Sequence, residues 1–147
     1  MSKTTADINE LIEVLNDGVS FYDDAATWTD NAAYRQVFLR MARSKRAIVT
    51  DLKAHVSQHG ESPADGGTIA GALRKTYTDV RARMSSDPDA QYIDHLEETE
   101  DRILQAFQDG LTTAESAEVR QIAQQYLPDV RRMHHEMRSL KQQLKAA

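Results

Sequence analysis

Four stretches of this chain carry a helical apolar period, and none alternates every second residue as a half-buried strand does. The first holds Ile8, Leu11, Leu15, Gly18, Tyr22 and Ala25. Ile12, Val19 and Ala26 widen it into a stripe broad enough to face a core. The second holds Tyr34, Val37, Phe38, Met41, Ile48, Leu52 and Val56. The third holds Tyr92, Ile93, Leu96, Ile103, Phe107 and Leu111. The fourth runs from Val119 through Ile122, Tyr126, Val130, Met133, Met137 and Leu140 to Leu144. These patterns predict long helices over about 7–28, 31–59, 90–110 and 114–145. Asp30 or Asn31 can cap the second helix, and Gly60 suits its left-handed end. Gly110 and Thr112-Thr113 read as a break, with Thr112 and Glu115 as a capping box. Pro128 inside the fourth helix removes one backbone bond and predicts a kink.

The connections set the topology. A few residues join the first helix to the second and the third to the fourth, so each pair must be antiparallel neighbours. Residues 60–89 separate the pairs, enough chain to run back along a bundle. They begin turn-rich at Gly60 to Gly67 and continue as a shorter helical pattern, about 68–84, with Ile69, Leu73, Tyr77, Val80 and Met84. The expectation is a single all-α domain over 1–147. Its architecture is a ferritin-like four-helix bundle with one long crossover that carries a short extra helix.

Composition excludes several functions. Cysteine is absent, which removes disulfides, Cys-ligated zinc, iron–sulfur clusters and thiol catalysis. No apolar run approaches the ~20 residues of a membrane span, and the first residues lack the apolar core of a signal peptide. A cytoplasmic location without membrane insertion is the expectation. Residues 7–30 hold seven acids and no Lys or Arg, whereas residues 31–59 hold six bases against Asp51. The third helix is again acidic and the fourth basic, so sequence neighbours attract. A net charge of -5 argues against nucleic acid as a partner.

A di-metal bundle needs a carboxylate from each of two helices and Glu-x-x-His from the other two. The opening Ile8-Asn9-Glu10-Leu11-Ile12-Glu13-Val14-Leu15, with Tyr22 beyond it, resembles the first helix of bacterioferritins. That resemblance aligns the ligand positions with Leu15, Ser44 and Ala47, none of which is a strong ligand, and with Glu100, which is. No Glu-x-x-His occurs anywhere in the chain. The chain as a whole, from about Ile8 to Leu140, resembles a family of small uncharacterised bacterial ferritin-like proteins, a proteobacterial domain of unknown function. The residues that carry this are Ile8 to Glu13, Asp17-Gly18, Tyr22, Gly67-Thr68-Ile69-Ala70-Gly71-Ala72-Leu73 and Glu100-Asp101. The resemblance implies the fold and a link to stress- and envelope-related genes, with no established reaction.

Other constellations are sparse. His55 and His59 share a helical face and are, with Glu100, the weak metal candidates; the alternative is two surface histidines near a helix C-terminus. His134 and His135 point about 100° apart and do not readily share an ion. His95 with Glu98 reads as solvated surface, and Met41, Met84, Met133 and Met137 read as core rather than haem ligands. Lys45 and Glu100 each interrupt an apolar stripe. An ionised carboxylate there needs a partner, whether an interhelical lysine, Tyr22 or Ser44.

No catalytic residue and no cofactor is expected. The leading reading is a non-enzymatic, stress-related structural or interaction module, and the alternative is a di-iron oxidase or metal store. Val14, Phe21 and Trp28 form a second apolar line on the first helix. Either the crossover helix, through Ile69, Leu73, Tyr77 and Val80, or another subunit can cover this line, and the expectation is a homodimer with Phe21 and Trp28 near the contact, with room for another protein partner.

Overall fold

The computed structural model describes residues 1–68 and 86–146. Four helices build the fold: α1 (Lys3–Trp28), α2 (Ala32–Gln58), α3 (Pro88–Thr113) and α4 (Ala117–Ala146). The expected crossover helix over about 68–84 lies almost wholly outside the described residues.

The helix ends follow from capping chemistry. The Ser2 hydroxyl accepts from the Thr5 N–H at 3.2 Å, so α1 begins at Lys3, ahead of the apolar stripe that starts at Ile8. Asn31 caps α2 by accepting from the Tyr34 N–H at 2.9 Å. Gly60, at φ +74°, ends it. There the Gly60 N–H donates to the Ser57 carbonyl and the Glu61 N–H to the Val56 carbonyl, the paired bonds of a Schellman end. Asp87 caps α3 with Pro88 in its first turn, where the missing N–H costs nothing.

Two sequence expectations fail between α3 and α4. Gly110 does not break the chain: α3 continues to Thr113, and Gly110 lets the helices approach, since a Cβ there would sit 3.4 Å from the Ala123 Cβ. Thr112 forms no capping box. Its hydroxyl donates back to the Gln108 carbonyl within α3, and the Val119 N–H donates to the Ser116 hydroxyl instead. α4 runs through Pro128 as a single helix.

Cross-helix contacts give the directions. Asp23 meets Arg46 and the Ala26 carbonyl meets Arg35, so α1 and α2 are antiparallel. Tyr22 meets Glu100 and Thr29 meets Asp89, so α1 and α3 are antiparallel. α2 opposes α4 through Arg40–Glu136, Lys45–Met133 and His59–Glu118. α3 opposes α4 through Asp101–His134 and Glu97–Lys141. The order is therefore up, down, down, up, and the link from α2 to α3 must travel the length of the bundle. The apolar stripes converge on one core that includes Leu15, Tyr22, Phe38, Leu52, Ile103, Phe107, Val130 and Met137, all at most 1% exposed.

The crossover sets out along α1. The Glu61 carboxylate accepts from the Ser2 N–H at 3.2 Å and from the Thr5 hydroxyl. Asn9 donates to the Ser62 carbonyl at 3.3 Å and accepts from the Ala64 N–H at 2.8 Å. Asn16 donates to the Gly66 carbonyl at 3.1 Å. The buried Asp17 carboxylate accepts from the N–H of Thr68 at 3.0 Å and from its hydroxyl. Gly67 is dictated by this approach, because a Cβ would fall 1.9 Å from an Asp17 carboxylate oxygen.

Candidate functional site

The polar centre of the bundle is built from three helices. Lys45 of α2, Glu100 of α3 and Tyr22 of α1 are each fully buried. Lys45 Nζ lies 2.7 Å from Glu100 Oε2, and the Tyr22 hydroxyl donates to the same oxygen. A further ammonium hydrogen points to Met133 Sδ of α4 at 3.3 Å, and Nζ stands 4.8 Å from the Tyr22 ring centroid. Gly18 makes room for this side chain, since a Cβ there would press on Lys45 Cδ and Cε at 3.0 Å. Burial pushes the Lys45 ammonium below its ordinary range, and the Glu100 carboxylate opposes that shift. Glu100 Oε1 is buried with no hydrogen-bond partner among the described residues.

The aligned positions for metal ligands need correction. Leu15 is buried as expected, but Ala47 is exposed and Ser44 is only half-buried. The inward positions of α2 are Lys45 and Ile48, so the alignment is turned by one residue, about 100° of helix rotation. A di-metal centre does not fit the corrected donor set. Glu100 is its one carboxylate, and an ammonium stands against it.

His55 and His59 do share a face, and each faces Glu118 of α4: His55 Nδ1 at 3.1 Å from one carboxylate oxygen and His59 Nε2 at 2.8 Å from the other. The two rings therefore straddle one carboxylate. Among the described residues, one group alone brings three ligand atoms within 4.8 Å of one another, and it is Glu97, Asp101 and His134. Glu97 and His134 are each 6% exposed. His134 Nε2 bonds to Asp101, while Lys141 lies 3.3 Å from Glu97 and 2.7 Å from Asp94. Glu97 and Asp101 stand one turn apart on α3, the signal in the sequence that points toward this group. Its third member required the register of α4.

Phe21, expected near an interface, is fully buried and packs edge-on against His95 with ring centroids 5.0 Å apart. It is a core residue of the single chain, because the line Val14–Phe21–Trp28 turns inward at its middle. Trp28 is half-buried. His95 is half-buried too, not solvated, and burial pushes its imidazole pKa down. Met41, Met133 and Met137 belong to the core.

Clefts open on the surface among the described residues. One of about 550 Å³ lies between the start of α1 and the end of α3, lined by Lys3, Asp7, Glu10, Asp109 and Glu115 among others. One of about 460 Å³ runs between α3 and the end of α4 beside His95, Lys141 and Leu144. One of about 380 Å³ lies near Arg35 and Leu39. None of the three is lined by Lys45 or Glu100. No described helix is long and apolar enough to cross a membrane.

Neither a curated protein nor a solved structure matches this chain. A family model described as a domain of unknown function, DUF2383, matches residues 3–113, from the first residue of α1 to the last of α3, and the chain belongs to that family.

Proposed function

We propose that this chain is a non-enzymatic, ferritin-like bundle that acts through protein contacts rather than through a reaction at its centre. The observation that carries this is the Lys45 ammonium against Glu100. A fixed lysine stands where a di-metal bundle would present ligands, and the three surface clefts leave this centre untouched. The up-down-down-up order with one long connection is that of ferritin-like folds. The residues that carry the family resemblance have structural tasks: Asn9 and Asp17 hold the crossover, Gly18 accommodates Lys45, and Tyr22 and Glu100 complete the buried pair. A stress-related setting is part of this reading and rests on the family resemblance alone.

The contact surface we favour is the end of the bundle where α1 turns into α2. Leu39 is 39% exposed there, the most exposed large apolar side chain within a described helix, and the half-buried Trp28 closes α1 at the same end. A closed symmetric dimer is the assembly proposed. Light scattering at micromolar concentration tests it: a mass near 16.6 kDa rejects the dimer, and an unchanged dimer in Leu39→Glu rejects this surface. Metal analysis of untagged protein tests the rest. About two irons per chain, lost in Glu100→Gln, would restore the metal-oxidase or metal-store alternative.

A further inference from the structure

The seam between α3 and α4 holds a second polar cluster, separate from the buried lysine. Its donors are one imidazole nitrogen and two carboxylate oxygens, from His134, Glu97 and Asp101, all within 4.8 Å of one another. We propose that these three side chains bind a single divalent transition-metal ion of the zinc class.

The donor set selects the class. Calcium and magnesium take oxygen ligands, whereas a mixed imidazole and carboxylate set suits zinc and its neighbours. Three protein ligands leave a fourth position for water, as in sites with an open coordination place.

Geometry and burial support it independently of composition. A tetrahedral ion with ligands at about 2.1 Å holds its donors about 3.4 Å apart, so binding would open the hydrogen-bonded His134–Asp101 pair and settle the three donors, now within 4.8 Å of one another, at that spacing by side-chain rotation. Glu97 and His134, at 6% exposure, are placed by packing on two different helices. The Asp101 side chain is 49% exposed and supplies the rotation, and the same exposure gives the ion its path from solvent.

Charge leaves the place for a cation. Asp94, Glu97 and Asp101 line the seam on α3, and α4 answers with Lys141 and with Arg138, 3.8 Å from Glu97. Three carboxylates thus face two permanent cations. Lys141 already holds Asp94 at 2.7 Å, a shorter contact than its 3.3 Å to Glu97, so it keeps a partner when an ion takes Glu97. His134 lies beyond the 3–113 segment that the family model matches, so this site uses a helix outside that segment.

The test is calorimetric titration of zinc chloride into chelator-stripped, untagged, full-length protein. The expected result is one zinc per chain, with affinity falling at least tenfold in both His134→Ala and Asp101→Asn, and unchanged in the His55→Ala/His59→Ala double variant. Asp101 is half-exposed, so Asp101→Asn reads the site even where His134→Ala disturbs packing. Cobalt substitution should add the visible d–d absorption of a tetrahedral ion and lose it in Asp101→Asn. Absence of binding, or zinc that persists in Asp101→Asn and disappears in the double variant, would overturn the proposal. A His134-dependent zinc is distinct from the Glu100-dependent irons that would overturn the functional reading above.

Discussion

Lys45 shows what a single residue does in this bundle. A buried ammonium is expensive unless it is paired, and the attraction of a close carboxylate roughly offsets the loss of water. The pair is thus a weak source of net stability but a strong constraint on register, since the cost returns when either partner leaves. Lys45→Met or Glu100→Gln alone should cost about 3–5 kcal/mol, because each strands a buried charge. The double variant Lys45→Met/Glu100→Gln should lie much closer to wild type than either single change. Urea unfolding of the four proteins measures this, and additive losses would show that the two groups do not depend on each other.

At the scale of elements, α1 does two tasks with two faces. Its apolar stripe enters the core, while the row Ser2, Thr5, Asn9, Asn16 and Asp17 receives the crossover. Because the crossover starts beside Ser2 and reaches Asp17 by Thr68, it climbs parallel to α1. That is the direction needed to deliver the chain from the end of α2 to the start of α3. The first contact of this row titrates. The Thr5 hydroxyl and the Ser2 N–H stabilise the ionised Glu61 carboxyl and hold its pKa below the ordinary 4.5. A carboxylate depressed in the folded state adds stability above its unfolded pKa and loses it as pH falls through the folded value. The attachment should therefore weaken as pH drops below 4.5. Denaturation midpoints across that range should fall less in Glu61→Gln than in wild type, and parallel curves would rule the contact out as a source of acid sensitivity.

For the whole molecule, the core is filled by side chains from all four described helices, with an ammonium at its polar centre. The expected consequence is a protein that stays folded without metal. Circular dichroism after exhaustive chelation should keep its full helical signal; a large loss of helix would mean that an ion holds the bundle together. The zinc proposed for the α3–α4 seam is compatible with this outcome, because that cluster lies beside the core and has cationic partners of its own.

Sequence alone determined the four helices, since burial repeats every three or four residues along a helix and leaves its mark locally. It determined the pairing of helices through the short connections, and it exposed Lys45 and Glu100, because a charge within an apolar stripe stands out without any partner in view. Which partner Glu100 takes was undecided among lysine, Tyr22 and Ser44. Packing chose the first two, since Ser44 is turned partly aside. The apolar stripe of α2 is the buried face, but the ligand positions aligned with Ser44 and Ala47 fall one residue, a rotation of about 100°, away from it. Gly110 misled for a related reason: a glycine that ends a helix and one that lets two helices touch are identical in sequence. The cluster of Glu97, Asp101 and His134, the fit of Gly67 against Asp17 and the burial of Phe21 were decided by tertiary structure alone. Each depends on how far one element slides along another, and that relation is set by the packing of whole faces rather than by any local run of residues.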